Sequence, residues 1–242
     1  GNDTMVTDGN NVLNGGEGND KMTLSGDHAT ANAGDGNDIV NVIGNVNTAN
    51  AGAGDDTLNV IGNANTANAG AGDDTLNVSG YANTANAGDG DDTVNVSDNY
   101  HKVDAGAGND TITVGGHRNT ANTGAGDDTL NVSGSHHMVN AGVGNDTITV
   151  GGRDNTANAD GGNDTINMSG HNNTANAGDG NDTVNVSGEY NTANAGDGSD
   201  VVKVNGDGNV VDGGAGNDSM NVTGDSTAYG GAGNDLMNVF AG

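Results

Sequence analysis

A period of 18 residues runs through the chain, and it excludes most folds before any other property is considered. Ala51-Gly-Ala-Gly-Asp-Asp-Thr-Leu-Asn-Val-Ile-Gly-Asn-Ala-Asn-Thr-Ala-Asn68 is followed at once by Ala69-Gly-Ala-Gly-Asp-Asp-Thr-Leu-Asn-Val-Ser-Gly80. Units begin at residues 15, 33, 51, 69, 87, 105, 123, 141, 159, 177 and 195, followed by a 17-residue unit at 213 and a partial one at 230. Repetition at a fixed spacing is the signature of stacked units, each unable to bury its own apolar face alone. The array occupies residues 1–242 as a single continuous domain with no linker.

Within a unit, position eight is apolar throughout: Met22, Val40, Leu58, Leu76, Val94, Ile112, Leu130, Ile148, Ile166, Val184, Val202, Met220 and Met237. Position ten is nearly always Val, as at Val42, Val60 and Val78. An apolar, polar, apolar triplet has the two-residue period of a half-buried strand. Position seventeen and the next position one are mostly Ala, as in Thr66-Ala67-Asn68-Ala69, which reads as a second strand with a small inward face. The predicted fold is all-β: a parallel β-solenoid with 18-residue turns, two short strands per turn and about 13–14 turns. No helix is expected, because Gly recurs too often and apolar spacing of 3.6 is absent.

Composition narrows the function. Leu, Ile, Val and Phe number 37 of 242 residues, and 33 acids stand against 5 bases for a net charge of −28. Those values suit a chain that is disordered on its own unless something offsets the charge. No apolar run is long enough for a membrane-spanning helix, and Gly1-Asn-Asp-Thr-Met-Val-Thr-Asp8 lacks the basic start and apolar stretch of a signal peptide. Five scattered bases form no stripe for nucleic acid. The absence of Cys excludes disulfides and thiolate metal sites. No catalytic grouping stands out from the repeat, and no pocket is expected in so thin a fold, so the chain is read as a non-enzyme.

One edge is nearly invariant. Position four is Gly in all fourteen copies. Position six is Asp in all fourteen: Asp3, Asp20, Asp38, Asp56, Asp74, Asp92, Asp110, Asp128, Asp146, Asp164, Asp182, Asp200, Asp218 and Asp235. Stacking places these in one column about 4.8 Å apart, with roughly 0.9 kcal/mol of repulsion per adjacent pair even in bulk water. A cation must offset this, and the basic residues are too few and out of register. Carboxylates with backbone carbonyls form a hard oxygen ligand set suited to Ca²⁺, and less suited to Mg²⁺, which demands tight octahedral geometry. These aspartates are the candidate metal ligands, holding about 13 Ca²⁺ ions between successive turns.

Gly213-Gly-Ala-Gly-Asn-Asp-Ser-Met-Asn221, Gly230-Gly-Ala-Gly-Asn-Asp-Leu-Met-Asn238 and Gly15-Gly-Glu-Gly-Asn-Asp-Lys-Met-Thr23 carry the motif Gly-Gly-x-Gly-x-Asp-x-apolar-x, and most other units put Ala first. On these residues the chain resembles the RTX, or haemolysin-type, calcium-binding repeats. The resemblance implies a right-handed parallel calcium β-roll, type I secretion and an extracellular or cell-surface location in a bacterium. The second nonapeptide departs from the pattern: Val78-Ser-Gly-Tyr-Ala-Asn-Thr-Ala-Asn86 has Asn83 where the family has Asp. That edge is expected to bind no calcium. Instead Asn47, Asn65, Asn83, Asn119, Asn155, Asn173 and Asn191 form amide ladders or close the turn onto the backbone. A further departure is Asp160 at position two, where Gly161-Gly162 is expected to shift the local pattern.

Positions thirteen to fifteen hold all six His (His28, His101, His117, His136, His137, His171), Arg118 and Arg153, and Tyr81, Tyr100 and Tyr190. They read as exposed loop tips, free to vary or to touch a partner such as a glycan; a zinc site at His136-His137 has no fixed geometry behind it. Outward positions seven and nine form runs such as Thr57/Asn59, Thr75/Asn77 and Thr111/Thr113, resembling the surface of ice-binding solenoids. The repeat regions of calcium-dependent ice-binding adhesins are also similar, but carry Thr at turn position three, which here is Ala, Asp, Glu, Val or Gly. The sequence reads as a structural repeat segment of a secreted bacterial surface protein: an adhesin stalk, surface-layer component or matrix filament that folds on calcium and associates end to end or side by side. An ice-binding solenoid and an accessory repeat module of a polysaccharide-modifying enzyme are the alternatives. The chain starts mid-turn at Gly1 and ends mid-turn at Gly242, as a fragment of a longer array or an end-to-end stacking unit would.

Overall fold

The computed structural model describes residues 1–240; Ala241 and Gly242, and with them the mid-turn end at Gly242, lie outside the described residues. The chain divides into two compact units, Gly1–Gly124 and Ala125–Gly242. Each is made of short strands that pair in parallel with the strands one turn before and after. In the first unit Thr57–Asn63 lies beside Thr75–Tyr81, with Leu58 opposite Leu76 and Val60 opposite Val78. The alternate strands Thr48–Ala53, Thr66–Ala71 and Thr84–Asp89 form a separate parallel sheet, with Ala49, Ala67 and Ala85 in register. The second unit repeats the arrangement, Thr165–His171 beside Thr183–Glu189 and Thr156–Gly161 beside Thr174–Asp179. The result is the expected parallel β-solenoid of about 13 turns, and no helix occurs among the described residues.

Strand alternation sorts the side chains. Leu58, Leu76, Val94 and Ile112 of the first sheet and Ala67, Ala69, Ala85 and Ala87 of the second are fully or almost fully buried. Each large side chain contributes about 1.5–3 kcal/mol by leaving water, while Ala contributes little beyond close approach. A core so thin cannot hold one turn alone, so stability accumulates from turn to turn. On the outward faces the Asn amides stack. Asn77 Nδ2 donates to Asn59 Oδ1 at 3.0 Å, and on the other sheet Asn68 Nδ2 donates to Asn50 Oδ1 at 2.7 Å.

The corner before the position-six Asp favours glycine. Gly52 and Gly54 have φ of 126° and 127°, a region L residues rarely adopt. A Cβ on Gly70 would also collide with the carbonyl oxygen of Gly52 one turn away. Asp160 occupies this glycine column without disturbing it, contrary to the expected shift. It pairs in register with Gly142 and Gly178, adopts φ 72°, and leaves Gly162 in the glycine conformation at φ 142°. Asp is among the few L residues that enter the left-handed region at modest cost, and the pairing on both sides fixes the register.

Replacing Gly70 with Ala should therefore cost on the order of 1–3 kcal/mol, from the forced φ and the carbonyl collision together. Denaturant unfolding at saturating Ca²⁺ measures it; a change below about 0.5 kcal/mol, ordinary for a surface site, would contradict the account.

Candidate metal centre

The two edges of a turn differ by one residue. On the first, positive φ at Gly52 and Gly54 is followed by Asp56; on the second, positive φ at Gly62 and Ala64 is followed directly by Asn65. The second corner is the tighter one, and its amide fills it. Asn65 Oδ1 accepts the Asn47 N–H at 2.8 Å, and Asn65 Nδ2 donates to the Gly44 carbonyl at 2.9 Å. Asn83 Nδ2 donates to both Gly62 and Ser79 carbonyls at 2.9 Å. Of the two roles open to this column, turn closure onto the backbone is therefore the one it takes.

His101 and His137 stand in the same column, and both are buried, so they are not the exposed loop tips expected. An imidazole can imitate the amide. His101 Nδ1 accepts the Asn83 N–H at 3.2 Å, and His137 Nε2 lies 3.0 Å from the Ser133 carbonyl oxygen. Burial pushes the His101 pKa down, keeping it neutral as the acceptor role requires. His136 is exposed while its neighbour His137 points inward, so the pair does not converge on a zinc ion.

On the first edge, the position-six aspartates from Asp20 to Asp218 are 1–2% exposed. Their Oδ1 atoms pin one turn to the next: the Asp38 N–H donates to Asp56 Oδ1 at 2.7 Å, that of Asp56 to Asp74 at 2.7 Å, and that of Asp146 to Asp164 at 2.7 Å. At the ends Asp3 is exposed and Asp235 half-buried, so these two candidate ligands lack the enclosure of the rest. The second oxygen differs. Oδ2 of Asp20, Asp38, Asp56, Asp74, Asp92, Asp146, Asp164, Asp182, Asp200 and Asp218 is buried without a hydrogen-bond partner. Where the Asn column supplies N–H donors to satisfy its corner, the Asp column presents anionic oxygen.

A buried carboxylate oxygen with no donor is costly, and a cation is the partner that suits it. Among the described residues no three His, Cys, Asp or Glu side chains converge on one point. An ion at this edge would take its remaining ligands from backbone carbonyls, an all-oxygen set that fits Ca²⁺. One further column escaped sequence reading: position five, where Asn37 Oδ1 accepts the Asp55 N–H at 3.1 Å and Asp55 Oδ1 the Asp73 N–H at 3.1 Å, outside the buried aspartates. The signal was present in the restriction of position five to Asn or Asp, with Ser199 the exception.

Burial pushes the carboxyls of Asp74 and Asp146 up to about 7 and those of Asp56, Asp92, Asp164 and Asp200 up to about 6, from 3.8; the donated N–H opposes this and neighbouring carboxylates reinforce it. Without calcium the fold holds protons that the unfolded chain has released, so this contribution to stability is present below pH about 4 and lost as pH rises through about 6–7. Circular dichroism of calcium-stripped protein should show strand signal gained on acidification from pH 8 towards pH 4. A signal that falls on acidification over that range would contradict the buried column.

A family model described as the RTX calcium-binding nonapeptide repeat (4 copies) matches residues 1–30, 44–60, 62–98, 102–131, 140–168, 169–188, 187–220 and 223–239. No curated protein matches the chain. Among solved structures, the X-ray crystal structure of a hyperactive, Ca²⁺-dependent, β-helical antifreeze protein from an Antarctic bacterium is similar, with a TM-score of 0.79 and 26% identity over 99% of this chain and 80% of that one. With its period, its glycine corners and its aspartate column, the chain belongs to the RTX calcium-binding nonapeptide repeat family.

Proposed function

We propose that the chain is a calcium-dependent structural repeat segment of a secreted bacterial surface protein, serving as an adhesin stalk, surface-layer component or matrix filament. The observation that carries this reading is the column of buried carboxylates with unpartnered Oδ2 atoms. About thirteen Ca²⁺ ions, one per inter-turn gap along the fourteen aspartates, would offset roughly 26 of the 28 excess negative charges. Ca²⁺ supplies there the positive charge and flexible oxygen coordination that the corner lacks. Residues 1–242 act as one array, unfolded and exportable where calcium is scarce and folded where it is abundant, because ion binding energy is folding energy. The structural role, in place of catalysis, follows from a repeat with no distinct catalytic grouping.

A second reading is ice binding. It is favoured by the similarity to the antifreeze protein and by a feature of the outward faces: the ladders run through Asn amides, leaving the aligned hydroxyls of Thr57, Thr75 and Thr93 outside them. Against it stand the two similar faces and the absence of Thr at turn position three, where Ala53, Ala71 and Asp89 align.

Calcium titration followed by circular dichroism tests the first reading. Strand signal should appear cooperatively with Ca²⁺ at pH 7.5, vanish with chelator, and return poorly with Mg²⁺; a signal unchanged by chelator overturns it. Thermal hysteresis and ice-crystal shaping in calcium separate the two readings. The scaffold reading expects neither, and faceted ice growth abolished by chelator would establish the second.

A further inference from the structure

The bases of this acidic chain are not spread evenly. Both arginines sit on the second edge, the one closed by amides, away from the aspartate column. They differ in what they touch. Arg153 Nε lies 3.7 Å from Asp154 Oδ2, an ordinary surface ion pair. Among the described residues Arg118 has no carboxylate partner, although acids outnumber bases 33 to 5. Its Nη1 instead donates to the Tyr100 hydroxyl at 2.6 Å, and its guanidinium carbon stands 5.7 Å from the Tyr100 ring centre.

Tyr100 in turn packs on Tyr81, with ring centres 5.0 Å apart and planes inclined at 49°. Both rings are about half exposed, 50% for Tyr81 and 43% for Tyr100. Neighbouring turns hold the side chains in place: Tyr81 bridges to Asn99 and Asn99 to His117 in parallel register, while Tyr100 and Arg118 follow at left-handed φ of 63° and 56°. The nearby Asp98 carboxylate is engaged by the Gly80 N–H at 3.0 Å.

We propose that Tyr81, Tyr100 and Arg118 form a subsite for a uronate residue of an acidic polysaccharide. The two rings offer an aromatic platform for the C–H face of a pyranose, and the guanidinium fork, held by the tyrosine hydroxyl, presents its other donors to a carboxylate. A second copy of the chain could offer carboxylates from its outer acidic positions, but those bring no ring face to the tyrosine pair. This inference concerns a partner of the edge opposite the calcium column and goes beyond the scaffold reading.

The test uses the full chain saturated with Ca²⁺ and a galacturonate hexamer as probe, with free calcium held constant because uronates bind it. Titration calorimetry and intrinsic tyrosine fluorescence, in a protein without Trp, report binding. Saturable binding is expected, weakened about tenfold or more by Arg118→Asn and by Tyr100→Asn, unchanged by Arg153→Asn, and absent with a neutral glucose hexamer. Asn tolerates the left-handed backbone at both positions, and Arg118→Lys, which keeps the charge but loses the fork, supplies a variant that leaves Tyr100 in place. No saturable binding, equal affinity in Arg118→Asn, or equal binding of the neutral hexamer overturns the proposal. Self-association abolished by Arg118→Asn, without sugar binding, assigns the subsite to a second copy and overturns it too. Strand signal is recorded in the same samples, so a failure of calcium-dependent folding is distinguishable from a failure of sugar binding.

Discussion

The structure depends on one interaction repeated along both edges: a side-chain oxygen of one turn accepting a backbone N–H from the turn before it. Asp56 Oδ1 receives the Asp38 N–H, and Asn65 Oδ1 receives the Asn47 N–H, in nearly the same geometry. These bonds satisfy N–H groups at corners where the sheet ladders are interrupted, which a buried backbone requires. Each such side chain reaches just one turn, at the axial spacing that the parallel strand ladders set. The outward amide ladders and the thin apolar seam follow that spacing and do not set it.

The two edges then part according to the second atom of the side chain. An amide has a donor left over and uses it on carbonyls of its own corner, so the second edge is complete in itself. A carboxylate has only another acceptor, and in a dry corner that oxygen favours either a proton or a cation. The raised pKa values of the central aspartates express the first option and the oxygen-rich corner suits the second. In the proposed reading, calcium dependence is thus a property of one side of the solenoid, created by the difference between NH₂ and O⁻ at one position per turn.

Much of this was legible in the sequence, because a repeat reports geometry through its period. The 18-residue spacing fixed which residues stack, the apolar triplets marked the strands, and the invariant Asp marked the edge proposed to hold the ion; the pairing of Leu58 with Leu76 bears out the stacking, and Asp56 and Asp74 are buried side by side. Period alone does not say whether a corner residue points in or out. Asn45 and Asn47 look alike on paper, yet the first is partly exposed and bonded to Asp27, while the second is buried and closes the turn. His101 and His137 were misjudged for the same reason, as variable tips when each occupies the inward place of an Asn. Asp160 was misjudged in the opposite direction: a local oddity counted for more than the register of the turns on either side.

The conformational cost of the second edge bears on why variation gathers there. Val46, Ala64, Ala82, Tyr100, Arg118, His136 and Tyr190 all sit in the left-handed region, where Gly or Asn would be less strained. On the first edge the comparable corner keeps Gly at position four in every copy. The difference is one of room. A Cβ on Gly36 or Gly54 would press against the carbonyl group of the turn before it, whereas the side chains of Tyr81, Tyr100 and Arg118 project from their corner into solvent and touch one another. Position four of the edge that would hold the ion is closed to substitution by its own backbone, and position fourteen of the edge closed by amides can carry any side chain whose strain the stacked turns absorb. A chain built this way separates what holds it together from what it presents to its surroundings, and places the two on opposite sides of each turn.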